Sequence, residues 1–269
     1  MDMLKAALLG LVQGLSEFLP ISSSGHLVIF AEILNFKEEG IAFEVFVHFG
    51  TLLAIFLAFR GEIGKMISAP YLLWIKKTET AELREFLNWD FYIIVGTIPA
   101  VIVGLGFKDS IEEMFDNILL VFFALLITAL LMYVTQFLKF RGNTFNYVRS
   151  FLIGVAQAFA IIPGISRSGS TIFMGIALGI ERENVAKFSF ILSIPAILGA
   201  TILKLNDLFA APPSSAEIVN LFVGTVVAFV SGYFAIIWLL DIIRKGKLQW
   251  FGYYCFTIAL FGLIWYFMQ

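Results

Sequence analysis

Leu19-Pro20-Ile21-Ser22-Ser23-Ser24-Gly25-His26 and Ile162-Pro163-Gly164-Ile165-Ser166-Arg167-Ser168-Gly169-Ser170 decide the fold. Each is a polar break inside an otherwise apolar stretch, 3–35 for the first and 147–181 for the second. Pro and Gly at this density end helices. The flanks are too short to cross a bilayer, which takes about 20 residues of helix. Two half-helices around a polar turn form a re-entrant segment. Such irregular backbone is tolerated at membrane depth only where protein or a water-filled cavity surrounds it.

The surroundings of these breaks are apolar. Of 269 residues 60% are hydrophobic and 14% charged, with a mean hydropathy of +0.92. A soluble domain would be nearer half apolar and a quarter charged. Full spans are expected over 43–59, 88–107, 117–138, 187–205, 218–240 and 249–268. The stretch 63–75, with Lys65 and Pro70, is expected to be interfacial or a poor span. The fold class is therefore an all-α polytopic membrane protein, one transmembrane domain over 1–269. The net charge of −2 says little about partners, and no basic patch is dense enough to suggest nucleic acid, so none is expected. Membrane lipid is the expected surrounding, and a homodimer is left open. Cys255 is the only cysteine and reads as a small buried hydrophobe. Asp2, Gln13 and Glu17 interrupt what would be the apolar stretch of a cleavable signal peptide.

Orientation follows from Lys and Arg. The 60–84, 139–149 and 241–248 connections are basic and expected inside. The 108–116 and 206–217 connections are mostly acidic and expected outside. Lys204, Lys245 and Lys247 read as interfacial or positive-inside charges. The 3–35 hairpin then enters from outside and 147–181 from the cytoplasm, so their turns are expected to meet near the midplane.

The two hairpins also match each other at a fixed offset of 144. Gly10, Gln13, Ile21, Ser22, Ser24 and Gly25 recur as Gly154, Gln157, Ile165, Ser166, Ser168 and Gly169. One repeat from each side is an inverted-topology duplication, with a first repeat over 1–144 and a second over 145–269, and such folds place sites at the repeat interface. The Ile-Pro-Ala at 98–100 and 194–196 lies outside this offset. The repeat is most informative where it fails: Glu17 is matched by Ile161, Ser23 by Arg167 and His26 by Ser170. A symmetric scaffold thus carries an asymmetric set of chemical groups.

That set suits phosphate chemistry. Ser, Gly and Pro at a break leave backbone amides free at the start of the next half-helix, where the helix dipole is positive. Ser22, Ser24, Gly25, Ser166, Ser168, Gly169 and Thr171 are the candidate phosphate contacts. Arg167 offers a bidentate clamp for an anionic ligand, with pairing to Glu17 as the alternative. Gln13 and Glu17 are spaced i, i+4 on one helix face, and their oxygens suit Mg²⁺ or Ca²⁺. For Gln13 an interhelical hydrogen bond serves equally well. Ser23 and His26 could act as nucleophile and proton-transfer group, or as a helix cap and a satisfied buried imidazole. Glu44 and His48 form a second i, i+4 pair in a supporting position. GxxxxGK[ST], HExxH, GxSxG and CxxC are all absent.

The stretch from Gln13 to His26 resembles the (E/Q)xxxE…SS-x-GH signature of the bacitracin-resistance type of undecaprenyl-diphosphate phosphatase. Pro163 to Thr171 resembles the same family's PGxSRSxxT motif, and the resemblance runs along the whole chain. It implies hydrolysis of undecaprenyl diphosphate to undecaprenyl phosphate and inorganic phosphate, which recycles the cell-wall lipid carrier and confers bacitracin resistance. It also implies a divalent cation and a bacterial plasma (inner) membrane location with the site opening outward. By motif, Glu17 and Gln13 would serve the metal or the attacking group. Ser23 would be the nucleophile or orient water, His26 would move a proton and Arg167 would clamp phosphate. Gln13 is the neutral variant at that position, which throws more of the work onto Glu17. A polyprenyl-phosphate transporter or flippase is the competing class. It would need the anion site but no nucleophile.

Overall fold

A computed structural model describes residues 3–33, 41–210 and 215–268. These residues form twelve α-helices and no β-strand among the described residues. The first hairpin is α1 (Met3–Phe18) and α2 (Ser23–Ile33), followed by α3 (Ile41–Ala58), α4 (Arg60–Pro70), α5 (Ala81–Gly106), α6 (Lys108–Phe115) and α7 (Ile118–Val134). The second hairpin is α8 (Tyr147–Phe159) and α9 (Arg167–Ala177), followed by α10 (Arg182–Ala210), α11 (Ser215–Arg244) and α12 (Gln249–Met268). At 16 and 13 residues, α1 and α8 are too short to cross alone.

Among the described residues, five helices are long and apolar enough to span: α5, α7 with its 3₁₀ extension to Phe137, the main parts of α10 and α11, and the whole of α12. The expected span 43–59 qualifies only together with Arg60–Ile75, from which it bends by 79°. That second arm is α4 and a π-helical turn, Tyr71–Ile75. Trp74 and Ile75 are largely exposed there, and Lys76 lies over the Tyr71 ring. Aromatic and basic side chains on an arm bent away from its span suit the membrane interface. Elsewhere the outward faces are apolar. Ile102, Leu130, Phe234 and Phe261 are all mostly exposed, an arrangement that lipid accepts and water disfavours by about 1.5–3 kcal/mol for each side chain of that size.

The packing repeats as the sequence does. Helix α1 packs on α11 as α8 packs on α5, while α3 meets α10 and α7 meets α12. Close approach in both unequal pairs rests on glycine against glycine. A methyl on Gly10 would lie 2.4 Å from the Gly224 carbonyl oxygen, and one on Gly154 would lie 2.1 Å from that of Gly96. The partners Gly96-Thr97-Ile98-Pro99-Ala100 and Gly224-Thr225-Val226-Val227-Ala228 share their first, second and fifth residues. Recurrence therefore extends into α5 and α11, at a different spacing from that of the hairpins. Phe190 packs against both Phe18 and Phe59 beside the first turn, with ring centroids 5.7 Å apart in each of the two contacts. The end of α1, which carries Glu17, is thereby held in a fixed setting.

Candidate active site

The two turns touch. A Cβ on Gly25 would come within 3.0 Å of Gly164 Cα, and Ser168 Oγ donates to the Leu19 carbonyl at 3.3 Å. Each turn is built by the same device. Ser22 Oγ accepts from Gly25 N at 3.2 Å and Ser166 Oγ accepts from Gly169 N at 3.1 Å, so the pseudo-equivalent serines are the N-caps of α2 and α9. Their neighbours Ser24 and Ser168 each lie 3.3 Å from the capping hydroxyl. The second turn is pinned by α7. Thr128 Oγ1 donates to the Gly164 carbonyl and accepts from Ser166 N, both at 2.9 Å. Gly164 has a φ of +95°, a conformation glycine adopts without strain. In the first turn the left-handed position falls on Ser22, with a φ of +73°. That is uncommon for a residue with a side chain and is found where surrounding structure enforces it.

Between the turns sits Glu17, its side chain 5% exposed. One carboxylate oxygen takes a charge-assisted hydrogen bond from Arg167 Nη2, across 150 residues of chain. The other accepts from Ser23 Oγ at 2.6 Å and Gln13 Nε2 at 3.0 Å, and His48 Nε2 stands 3.8 Å away. Glu17, Ser23, Arg167, Gln13 and His48 thus form one cluster drawn from α1, α2, α3 and α9. Arg167 holds Glu17 with one of its five N–H groups, so pairing and anion binding are compatible in the same side chain. The amides of Ser23, Ser24, Arg167 and Ser168, in the first turns of α2 and α9, carry no hydrogen bond among the described residues. They are the open donors that a helix N-terminus offers an anion.

The match to known proteins is consistent along the chain. The family model described as Bacitracin resistance protein BacA covers residues 6–261. The chain belongs to that family. It is 39% identical over 267 residues to the undecaprenyl-diphosphatase of Halothermothrix orenii, covering 98% of each chain. It is 40% identical to the enzyme of the same name from Christiangramia forsetii, covering all of both chains. Against that of Methanobrevibacter smithii it is 40% identical, covering 97% of this chain and 96% of the relative.

Several side chains in this BacA-family chain lie differently from their sequence expectation. His26 is not part of the Glu17 cluster. Its Nδ1 lies 2.8 Å from the Ser22 carbonyl and its Nε2 lies 2.8 Å from the hydroxyl of Tyr254 on α12. Thr171 Oγ1 does not face the turns. It lies 2.9 Å from the Arg167 carbonyl and 2.5 Å from Ser189 Oγ, a helix-backbone and interhelix role. The hydroxyls of Ser22, Ser166 and Ser168 are engaged within and between the turns, so the open donors are the amides rather than the serine side chains. His48 Nδ1 bonds the Glu44 backbone carbonyl at 2.8 Å rather than its carboxylate. This aims Nε2 at Glu17. A small cavity of about 30 Å³, lined in part by Glu44, His48 and Thr201, adjoins this edge. It is large enough for a water.

Among the described residues no three His, Cys, Asp or Glu side chains converge as a ready metal cage. The donor set still fits a hard cation. Gln13 Oε1 is fully buried with no hydrogen-bond partner, next to the Glu17 carboxylate. One amide oxygen and one carboxylate, completed by substrate phosphates, is a way in which Mg²⁺ is commonly held. Two contacts gave no sequence signal. Thr128 stands in the middle of an apolar span, and Tyr254 reads as one more aromatic of the last helix.

Proposed function

We propose that this chain hydrolyses undecaprenyl diphosphate to undecaprenyl phosphate and inorganic phosphate, returning the lipid carrier of cell-wall synthesis to use and conferring resistance to bacitracin. The observation that carries the reading is the Ser23–Glu17–Arg167 cluster at the junction of two helix N-termini. It joins a hydroxyl, a base and an anion clamp, and it supplies what a hydrolase needs and a carrier does not. The α2 and α9 amides and Arg167 bind the diphosphate. Ser23 Oγ, oriented by its 2.6 Å hydrogen bond to Glu17, attacks the terminal phosphorus as its proton passes to the carboxylate. The bond to the bridging oxygen breaks and undecaprenyl phosphate departs. Water then hydrolyses the phosphoserine. Gln13 and Glu17 would hold a divalent cation, Mg²⁺ or Ca²⁺, which when bound supplies charge neutralisation on the phosphates. His26 provides a proton for the leaving oxygen. The apolar helix faces hold the prenyl tail in lipid, and the plasma membrane with the site open to its outer side is the location this reading assigns.

The test is phosphate release from undecaprenyl diphosphate by detergent-purified protein, with Mg²⁺, with Ca²⁺ and with chelator, for wild type and Glu17→Ala. Cation-dependent release that Glu17→Ala abolishes while remaining folded supports the reading. No release by folded wild type with either cation overturns it.

A further inference from the structure

His26 is 4% exposed and both of its ring nitrogens are engaged. Nδ1 faces the Ser22 carbonyl at 2.8 Å. A carbonyl only accepts, so Nδ1 carries a proton. Ser22 is the residue at φ +73°, and its carbonyl also accepts His26 N at 3.1 Å. The strained turn therefore fixes both the ring and its tautomer. Nε2, the nitrogen left for proton exchange, points neither at Ser23 nor at Glu17. It faces Tyr254 Oη at 2.8 Å, with the two rings nearly parallel at 11°. Tyr254 lies 228 residues away and is 41% exposed. The exchangeable position of a buried histidine thus reaches its surroundings through one half-exposed phenol.

Resting on the phosphatase reading, we propose that Tyr254 is a catalytic residue, the outlet of a two-member proton relay with His26. In the forward step the Oη–H bond of Tyr254 breaks toward the bridging oxygen of the departing undecaprenyl phosphate. At the same time the Nε2–H bond of protonated His26 breaks toward Tyr254 Oη. One proton leaves His26, the leaving oxygen gains one, and the tyrosine ends neutral. Imidazole is left as the Nδ1–H tautomer that Ser22 holds, and solvent returns the proton before the next turnover.

The experiment is a double-mutant cycle on phosphate release, with Tyr254→Phe, His26→Ala and the pair, each checked for unchanged thermal melting. Phe keeps the stacked ring and removes only the hydroxyl. Tyr254→Phe is expected to lower kcat roughly 10- to 100-fold with KM nearly unchanged, and to cost little further in the His26→Ala background. Equal losses in both backgrounds, or a change in KM or melting with kcat intact, would overturn the relay. Wild-type activity is measured in the same series. Its absence would sink the phosphatase reading, whereas its presence with an additive cycle sinks only the relay.

Discussion

Replacing Arg167 by alanine tests how far the site depends on the link between the two hairpins. The side chains of Glu17 and Arg167 are 5% and 17% exposed. On one Glu17 oxygen Arg167 is the only partner among the described residues, while the other oxygen keeps Ser23 and Gln13. Removing one partner of a buried pair costs about 3–5 kcal/mol because a charge is left uncompensated. The two surviving donors place Arg167→Ala near the lower end of that range. Glu17→Ala/Arg167→Ala removes both charges together, so the cycle is expected to close with a coupling energy of about 2 kcal/mol. Stability would be read by SDS titration in mixed micelles, followed by tryptophan fluorescence, for the four proteins of the cycle. Phosphate release would be read separately, where Arg167→Ala is expected to lose about 10²–10³-fold in kcat. Arg167→Lys, which keeps the charge but not the two-pronged geometry, should recover only part of that loss. Single substitutions whose effects simply add, or an Arg167→Ala protein as stable as wild type, would refute the view that this pair joins the hairpins.

Four further outcomes are expected. Ser23→Ala should lower phosphate release by at least about 10³-fold and abolish an acid-trapped phosphoenzyme, whereas activity within tenfold of wild type would hand the attack to water. A methyl on Gly154 would sit 2.1 Å from the Gly96 carbonyl oxygen and 2.9 Å from Gly96 Cα, so α5 and α8 must part. Gly154→Ala should cost about 1–3 kcal/mol in the same SDS titration. Gly64→Ala, with nothing within 4 Å, should be neutral or gain up to about 1 kcal/mol from helix propensity. Thr128→Val strands the Ser166 amide and the Gly164 carbonyl, so it should cost roughly 2–4 kcal/mol and lower kcat by loosening the turn that begins α9.

Much of this could be read from residue order, for identifiable reasons. Hydropathy over a helix length exposes spans directly, and Pro-Gly-Ser breaks expose the two turns. The fixed offset of 144 marks the hairpins as related because the capping serines and the glycines beside them are set by local backbone geometry. The matching of α5 with α11 is not legible in the sequence because only three residues of five are shared. The serine and threonine hydroxyls are ambiguous in the sequence for a plain reason. Ser at a helix start suits a cap and a phosphate contact equally, and only coordinates show that Ser22 and Ser166 cap while Thr171 reaches Ser189. The contacts of His26 with Tyr254 and of Arg167 with Glu17 span 228 and 150 residues. No periodicity encodes such distances. The second is legible only as an alternative, because charge at membrane depth demands a partner.

The span of chain between Glu17 and Arg167 also bears on how the protein is made. At about 5–20 residues per second, the ribosome reaches Arg167 roughly 8–30 seconds after Glu17. Throughout that interval the first hairpin carries a carboxylate whose cationic partner does not yet exist. Settling it at full depth before then would leave the charge stranded in hydrocarbon. The first hairpin is therefore expected to wait near the headgroups, or beside the translocon, until the second arrives, so the earliest segment synthesised is among the last to reach its final place.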